Sequence, residues 1–520
     1  MKVGLKLASV CLVIVSCISL ECRREEPRES ALSKVEYVIN WDMTAWDPST
    51  SYDNTSVALS NIYEPLLWYK GGSSKAEIVP ALAESYNVSK DGLTWRFQLR
   101  KGVKFHDGSL FRSSDVKASV ERTVAMNQGA SWIWKPLNTI RIIGDHEIEF
   151  RLKYPAPLDL IVSSGFGAWI TCQKHAASRN SDWFMKGKEC GTGPYVLKKW
   201  EPGQQIILEY FPDYWRGWTG EKFKIAIIRT VGEVSTQIQM IRTGQADIVR
   251  QVPFEILKNM EKDPALRVVK YPSFESVVAL LNCRKKPTDD RNVRRALAYA
   301  VDYEGIISKL LMGYGSKPSG PVAKTLWGSL EQPIPFLHAP RVADSLFSAA
   351  KHRKNELSLR LSFAAGDELL TNIALTLQSS LRKIGVDLDL EVYPWSIQWD
   401  RAKHLETAPN IFLFYWWPTY PTPYEPLLGM FHSEQEPVYN LSYYSNKKFD
   451  SLIDEAHSIT GTNRSKAAES FKQAQLQLLN DLPAIFIADL ERVYVTQRRV
   501  GGFDPNPAYA NVVFFYELNL

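Results

Sequence analysis

The residues best suited to chemistry lie in an eleven-residue stretch, WWPTYPTPYEP, at positions 416–426. It combines two tryptophans, two tyrosines and two threonines with four prolines. Rigid aromatic rings offer a ligand a large contact area at low entropy cost, so this stretch suits non-covalent recognition. The prolines remove backbone donors and fix φ, which predicts a stiff, extended loop. The same composition is equally compatible with a packed corner of prolines and aromatic rings.

The elements around this stretch must hold it in place. Residues 411–415, IFLFY, are apolar throughout and predict a buried strand that leads into the loop. Upstream, the pattern predicts a strand at 357–363, a helix at 368–383 and a strand at 386–392. Downstream, it predicts a helix at 465–480, followed by strands at 484–490 and 492–496. This alternation predicts the α/β class.

The first residues predict export. A short basic segment precedes an apolar run from Leu7 to Ser16, which is too short to span a bilayer and fits a secretory signal. The sequence IVSC, ending at Cys17, resembles a bacterial lipobox, in which the cysteine becomes the acylated first residue. We therefore predict a lipoprotein signal at 1–16, a lipid anchor at Cys17 and a flexible tether at 17–34. An ordinary signal peptide with an incidental cysteine is the alternative.

Composition narrows the class of protein. The 62 basic residues nearly balance the 57 acidic ones, and no block of like charges occurs, which argues against nucleic-acid binding. A length of 520 residues predicts two or three domains.

The cysteines and histidines suggest no metal site. Cys172 and Cys190 flank a polar stretch and form a plausible loop-closing disulfide in an oxidising compartment, although sequence alone leaves the pairing open. Cys283 is then unpaired. Neither a C-x-x-C motif nor a clustered pair of histidines occurs, so we predict neither a metal nor a cofactor.

Eight short sequence blocks carry information through their order along the chain. The blocks are 46–48 (WDP), 61–66 (NIYEPL), 80–85 (PALAES), 91–97 (DGLTWRF) continuing through 105–108 (FHDG) to 115–116 (DV), 191–195 (GTGPY), 244–248 (GQADI), 293–302 (VRRALAYAVD) and the loop at 416–426. Each block alone is a weak signal, but eight in order behind a lipobox are specific. In this order they resemble the extracytoplasmic solute-binding proteins of ABC importers, family 5, whose members take oligopeptides, dipeptides, nickel complexes and similar solutes.

The resemblance implies a two-lobed periplasmic-binding-protein fold of the class II type, with an extra domain inserted in the N-terminal half. Transferred to this chain, lobe I comprises 35–58, 187–270 and 487–520, the extra domain 59–186, and lobe II 271–486. It also implies a monomer that encloses a peptide or peptide-like solute between its lobes. The closed form would be recognised by permease subunits of the cell membrane.

The resemblance also implies the binding residues. Peptide-binding relatives often carry W-W-P-D-Y-P-D-P in the loop, and its first Asp pairs with the α-ammonium of the peptide. Here Thr419 stands at that position, and a hydroxyl supplies no countercharge. The expected cleft residues are Trp416, Trp417, Thr419, Tyr420, Trp395, Trp46, Asp47 and either Trp132 or Trp134. For Trp46, Asp47 and the last pair, ordinary packing is an equal alternative.

Other functions stay open at this point. The solute is a peptide bound without the carboxylate that relatives use, a modified peptide, or a non-peptide such as a nickel chelate. An envelope enzyme or a receptor without a transport role is the rival class. Because the chain lacks G-x-S-x-G, H-E-x-x-H and P-loop motifs, we predict that it is not an enzyme.

Overall fold

A computed structural model describes residues 33–70, 77–177, 180–350 and 358–520. The predicted signal, Cys17 and nearly all of the tether lie outside these residues. Among the described residues the strands are β1 (Lys34–Ile39), β2 (Leu67–Tyr69), β3 (Ile78–Pro80), β4 (Ala83–Val88), β5 (Thr94–Leu99), β6 (Leu137–Gly144), β7 (Glu147–Leu152), β8 (Tyr195–Glu201), β9 (Gln205–Tyr210), β10 (Ile225–Thr230), β11 (Ile248–Val249), β12 (Leu266–Leu281), β13 (Gly315–Ser316), β14 (Ser358–Ala364), β15 (Asp387–Tyr393), β16 (Ile411–Trp416) and β17 (Ala484–Gln497).

The helices alternate with these strands, as the α/β pattern predicts. They are α1 (Ser56–Ile62), α2 (Ser113–Met126), α3 (Leu158–Ile161), α4 (Gln173–Ala176), α5 (Asp182–Met185), α6 (Val234–Thr243), α7 (Phe254–Met260), α8 (Arg291–Ala300), α9 (Tyr303–Gly305), α10 (Pro340–Ser348), α11 (Glu368–Arg382), α12 (Trp395–Ala402), α13 (Tyr424–Phe431), α14 (Lys447–Ile459) and α15 (Arg464–Asp481). Short 3₁₀ turns occupy Ser131–Trp134 and Phe515–Glu517, and a π turn occupies Ile306–Leu310. None of the helices in the described part of the chain is both long and apolar enough to cross a bilayer.

One large mixed sheet connects most of the chain. Its strand order is β15-β14-β16-β12-β17-β11-β1-β10-β9-β8, and β13 pairs with β17 beside this path. The two longest strands, β12 and β17, run antiparallel in its centre. Strands β11, β1, β10, β9 and β8 of predicted lobe I lie beyond β17, and strands β16, β14 and β15 of predicted lobe II lie beyond β12. The short strand β13 of predicted lobe II pairs with β17 on the same edge as β11. The predicted boundaries at 270/271 and 486/487 fall inside these two strands, and the exact division of the lobes stays a prediction.

The predicted pair of strands at 484–490 and 492–496 is one continuous strand, β17. The predicted gap between them contains Glu491 alone, and Arg492 begins the second predicted strand. They continue the ladder by pairing with Pro272 and Tyr271 of β12, and backbone pairing does not depend on side-chain polarity.

A separate four-stranded antiparallel sheet, ordered β4-β5-β7-β6, lies within the predicted extra domain. In β5, Trp95, Phe97 and Leu99 are fully buried, while Arg96 and Gln98 face solvent. This period-two alternation is typical of a strand with one face in the core and one in solvent. Buried residues of this sheet share one hydrophobic cluster with those of predicted lobe II, whereas most of lobe I forms a cluster of its own.

Candidate functional site

The aromatic loop is shorter than the sequence predicts. Residues 411–415 form the predicted strand, and β16 extends through Trp416. Helix α13 already begins at Tyr424, so only 417–423 is non-helical between the two elements. Pro426 fits inside the first turn of this helix because the N–H groups there have no intrahelical partner to lose.

A cavity of about 430 Å³ opens beside this loop. Most of its wall is aromatic. The lining residues are Tyr52, Trp132, Lys135, Trp395, Trp399, Phe414, Tyr415, Trp416, Trp417, Thr419, Glu425, Leu428, Gly429, His432, Glu434 and Tyr439. Tyr52 comes from predicted lobe I, two residues come from the predicted extra domain, and the remainder come from predicted lobe II. The volume is in the usual range for small-molecule sites, which is about 300–1,000 Å³.

Trp416 forms the floor of the cavity. A Cβ atom at Gly429 would overlap the edge of the indole ring of Trp416, so glycine is needed at that position of α13 for the ring to approach the helix this closely. The indole Nε1–H of Trp416 is buried and has no hydrogen-bond partner among the described residues. A buried donor without a partner is destabilising by about 1–3 kcal/mol.

Thr419 is buried, and its hydroxyl, carbonyl and N–H groups all have hydrogen-bond partners. Its hydroxyl oxygen lies 2.8 Å from the Tyr52 hydroxyl oxygen. Its carbonyl oxygen accepts a hydrogen bond from the Ser164 hydroxyl at 3.2 Å, and its N–H donates to the Glu425 carboxyl group. The position where peptide-binding relatives carry a carboxylate is therefore tied to predicted lobe I, to the extra domain and to α13.

Glu425 is the acidic residue that contacts Thr419, the position at which peptide-binding relatives carry a carboxylate. It accepts hydrogen bonds from the N–H groups of Thr419 and Tyr420. Burial nevertheless raises its pKa to about 8, because these donors offset only part of the lost hydration. At neutral pH most copies therefore carry a proton on this carboxyl group, and the cavity has little fixed negative charge at the loop.

Two further polar groups lie in the wall. His432 donates from Nε2 to Asp454 at 3.3 Å, and this hydrogen bond raises the imidazole pKa. The carboxylate of Glu434 accepts backbone N–H groups from Val438 and Tyr439. His432 is thus held by a residue outside the cavity, and Glu434 by Val438 and by Tyr439, which also lines the cavity.

Of the predicted cleft residues, the structure brings together Trp416, Trp417, Thr419, Trp395 and Trp132. Tyr420 lies behind this wall, 4% exposed, with its ring centroid 6.2 Å from that of Trp132. Trp134 is also buried and donates to the carbonyl oxygen of Gly167, so it does not reach the cavity.

Trp46 and Asp47 do not line this cavity. Trp46 is 1% exposed and packs against Trp200 in the core of predicted lobe I, with ring centroids 5.2 Å apart. Asp47 is fully buried and forms a two-pronged ion pair with Arg122, at 2.5 and 2.7 Å. Both residues are packed in the core, which is the alternative that the sequence left open. The sequence did not indicate this packing, because each partner lies too far along the chain to form a local pattern.

The predicted Cys172–Cys190 disulfide is not formed in the structure, where both cysteines are free, as is Cys283. The two sulfur atoms are nevertheless close, since they belong to one group of side chains whose ligand atoms lie within 4.8 Å of one another.

Sequence reasoning missed several lining residues, above all Tyr52, Glu425, Trp399 and Tyr439. Glu425 lies within the stretch singled out from the sequence, but its role depends on the start of α13. For Tyr52 the sequence carries no signal, because its partner Thr419 is 367 positions away.

A second cavity of about 670 Å³ lies elsewhere, between the predicted extra domain and lobe I. Its buried carboxylate, Glu64, already accepts hydrogen bonds from Thr192, Tyr214 and Trp215. No residue of predicted lobe II lines it among the described residues, so it is not enclosed by the two lobes.

Comparisons with known proteins agree with this geometry. The sequence profile of the bacterial extracellular solute-binding proteins, family 5 (middle), matches residues 77–437. The probable D,D-dipeptide-binding periplasmic protein DdpA of Escherichia coli (strain K12) is 27% identical over 481 residues, which cover 91% of each chain. Heme-binding protein A of Haemophilus influenzae is 26% identical, over 98% of this chain and 97% of its own.

Solved structures share the fold. The substrate-binding protein CtaP of an ABC transporter from Listeria monocytogenes superposes with a TM-score of 0.83 at 21% identity, covering 94% of this chain and 99% of that one. The chain therefore has the two-lobed fold of these proteins, and it belongs to family 5 of the bacterial extracellular solute-binding proteins, whose members serve ABC importers.

Proposed function

We propose that this protein captures an oligopeptide or a related peptide-like solute between its lobes and delivers it to the permease of an ABC importer. The observation that carries this proposal is the aromatic cavity beside Thr419, in which residues from both predicted lobes and the extra domain meet. An opening bounded by separate bodies can close around a solute, and closure gives the permease a form to recognise.

The chemistry of the wall favours a solute with apolar or aromatic side groups. The rings of Trp132, Trp395 and Trp416 line the cavity and offer apolar contact area. The relatives reported above are named for D,D-dipeptides and heme, which are solutes of different size. The family name alone therefore leaves the solute open.

The polar groups favour a peptide whose α-amino group is modified or absent. A free α-ammonium would meet the Thr419 hydroxyl, which Tyr52 already engages, and the Glu425 carboxyl group, which burial keeps largely protonated. Enclosing an ammonium without a full countercharge is unfavourable. A nickel chelate is the second candidate, because the imidazole of His432 belongs to the wall.

Thermal-shift and native mass spectrometry tests separate these solutes. The exported chain is screened with short peptides carrying aromatic side chains, with their N-acetylated forms, with murein fragments and with Ni²⁺ chelates. Stabilisation by N-acetylated peptides above their free-amine forms supports the modified-peptide proposal. Stabilisation by free-amine peptides alone contradicts it while leaving solute capture intact. If no solute stabilises the protein, the receptor or enzyme alternatives gain support.

We propose further that Cys17 anchors the protein, as a monomer, to the cell membrane on the extracytoplasmic side. The support is the lipobox-like sequence that ends at Cys17. Expression in a bacterial host tests this. The wild-type protein should partition with detergent and gain the mass of acyl chains, and Cys17→Ala should abolish both properties. An unacylated, cleaved protein would contradict the anchor.

A further inference from the structure

Four side chains capable of binding a metal converge in the predicted extra domain, away from the solute cavity. They are Asp107, Cys172, His175 and Cys190. One ligand atom from each, namely the two Sγ atoms, an imidazole nitrogen and a carboxylate oxygen, lies within 4.8 Å of the others. Both cysteines are buried, His175 is half-buried and Asp107 is exposed, so the group opens to solvent on one side only.

The turn that carries Asp107 is fixed to the segment that carries Cys190. His106 binds the Glu189 carboxylate through Nδ1 at 2.7 Å and the Gly193 carbonyl oxygen through Nε2 at 2.9 Å. The N–H group of His106 also donates to the carbonyl oxygen of Gly191 at 2.9 Å. These hydrogen bonds make no use of the four candidate ligands, so the two segments stay together without them.

The segment that carries Cys172 and His175 is fixed in the same way. The N–H of Gln173 donates to Asp115 at 2.7 Å, which holds the start of α4. The hydroxyl of Thr171 donates to the carbonyl oxygen of Cys190 at 2.9 Å, which aligns the two cysteine segments. Cys172 is the N-cap residue of α4 and His175 lies in its first turn, and their ligand atoms lie within 4.8 Å of each other.

We propose that these four side chains form a binding site for a thiophilic divalent cation of the Zn²⁺ type. Two thiolates, one imidazole and one carboxylate make a complete tetrahedral ligand set for zinc. Zinc–ligand bonds of 2.0–2.3 Å place tetrahedral ligands roughly 3.3–3.8 Å apart, so the group needs to contract by only about 1–1.5 Å. Closed four-ligand sites of this kind are structural, and this one joins α4, the Cys190 segment and the Asp107 turn.

Neighbouring charges fit a bound cation with this ligand set. Two thiolates and a carboxylate carry three negative charges, and a divalent cation leaves one of them uncompensated. Lys174 and Lys188 bring positive charge to the same place. Binding displaces the two thiol protons into solvent, which makes the affinity rise with pH.

The disulfide predicted from the sequence would use the same two sulfur atoms, so the two outcomes exclude each other. A disulfide removes two ligands, and His175 and Asp107 cannot hold the cation alone. The position of His175 favours the metal, because a disulfide gives no reason for an imidazole beside both sulfur atoms. The ring of His175 also stacks on Trp183 with centroids 3.7 Å apart, which fixes its orientation.

Metal analysis of the exported chain tests the proposal. The protein is isolated from its export compartment, its zinc content is measured, and its thiols are counted by alkylation and mass mapping. It is then reduced, freed of metal and titrated with Zn²⁺ against a chromophoric chelator, and with Co²⁺ by absorption. Cys172→Ser and His175→Ala are the test variants, and Cys283→Ser is the matched control.

The proposal expects one zinc per chain, protection of Cys172 and Cys190 from alkylation, and sulfur-to-cobalt absorption on adding Co²⁺. His175→Ala should weaken zinc binding at least about ten-fold, since even changes to groups around a metal site cost that much. Cys283→Ser should bind zinc like the wild type. His175→Ala retains both cysteines, so it remains informative if Cys172→Ser fails to fold.

Two results would overturn the proposal. One is a Cys172–Cys190 disulfide in the isolated protein, combined with no stoichiometric zinc binding after reduction. The other is zinc binding that His175→Ala leaves unchanged. Neither result affects solute capture, because none of the four residues lines the solute cavity.

Discussion

The hydroxyl groups of Tyr52 and Thr419 lie 2.8 Å apart, although 367 positions separate the two residues in the chain. Tyr52 belongs to predicted lobe I and Thr419 to predicted lobe II, and both line the aromatic cavity, so this hydrogen bond joins the two predicted lobes at the cavity wall. It also engages the hydroxyl group that replaces the peptide-anchoring carboxylate of relatives. One contact therefore bears both on closure of the lobes and on the choice of solute.

Replacing Tyr52 with phenylalanine should open the unliganded protein. The ring keeps its edge contact with Phe166, whose centroid is 5.1 Å away, and only the hydroxyl is lost. A neutral hydrogen bond contributes about 0.5–1.5 kcal/mol, so the ratio of closed to open molecules should fall about two- to thirteen-fold. Small-angle scattering should record a larger radius of gyration. Tyr439→Phe, in the same cavity wall, is the control, and an unchanged radius in Tyr52→Phe would contradict this role.

Replacing Thr419 with aspartate should shift the preference towards peptides with a free α-ammonium. The new carboxylate supplies the missing countercharge, and a gain of about 1.4 kcal/mol corresponds to a ten-fold rise in affinity. Calorimetric titration of a dipeptide and of its N-acetylated form measures the difference.

Thr419→Asn is the matched control, because asparagine has the shape of aspartate without its charge. The free-amine peptide should gain affinity in the aspartate variant only. An equal gain for the N-acetylated peptide, or in the asparagine variant, would show that charge at this position does not select the solute.

Replacing Glu425 with glutamine should flatten the pH dependence of stability. Burial raises the folded-state pKa from 4.5 to about 8, so the folded protein holds this proton more tightly than the unfolded chain does. Stability is thus greatest below the unfolded pKa and falls as pH rises through the folded value, by on the order of 4 kcal/mol in total. Glutamine keeps an acceptor for the N–H of Thr419 but does not titrate.

Urea unfolding at several pH values measures this effect. Burial also raises the pKa of Asp489, but only to about 6. The effect of Asp489 on the pH dependence of stability is therefore complete at a lower pH than that of Glu425. The raised pKa values of His432 and His106 also make stability depend on pH above about pH 6. The contribution of Glu425 is therefore the difference in slope between the wild type and Glu425→Gln between about pH 6 and pH 8. Equal slopes for the wild type and Glu425→Gln in that interval would mean that the carboxyl group is ionised in the folded protein at neutral pH.

The parts of the fold that depend on local pattern were predictable from the sequence. The strand–helix–strand unit formed by β14, α11 and β15 matches its prediction to within one residue at nearly every end, because period-two and helical spacing are local properties. The strand β12 escaped prediction. It passes through Pro272 and a stretch of polar residues, and only its pairing with β17 makes it one element.

In the candidate site too, the residues that could be predicted are those that depend on local sequence pattern. Trp416, Trp417 and Thr419 could be predicted because they share one loop at the end of one strand. Asp47 was predicted to line the cleft, but its ion pair with Arg122, 75 positions away, holds it in the core. The group around Cys172 was missed because only its Cys-x-x-His spacing is local, and Asp107 and Cys190 come from other segments.

The ion pair between Asp47 and Arg122 should matter for stability and not for solute affinity. Both side chains are 1% exposed, and Asp47 also accepts a hydrogen bond from Ser181 at 2.5 Å. Asp47→Asn leaves the guanidinium of Arg122 buried without its countercharge, which should lower the free energy of unfolding by about 3–5 kcal/mol. Asp213→Asn breaks an exposed pair with Lys104 and should cost less than about 1 kcal/mol. Because Asp47 does not reach the cavity, the folded Asp47→Asn variant should bind solute like the wild type. Loss of solute binding at unchanged stability would instead place Asp47 in the cleft.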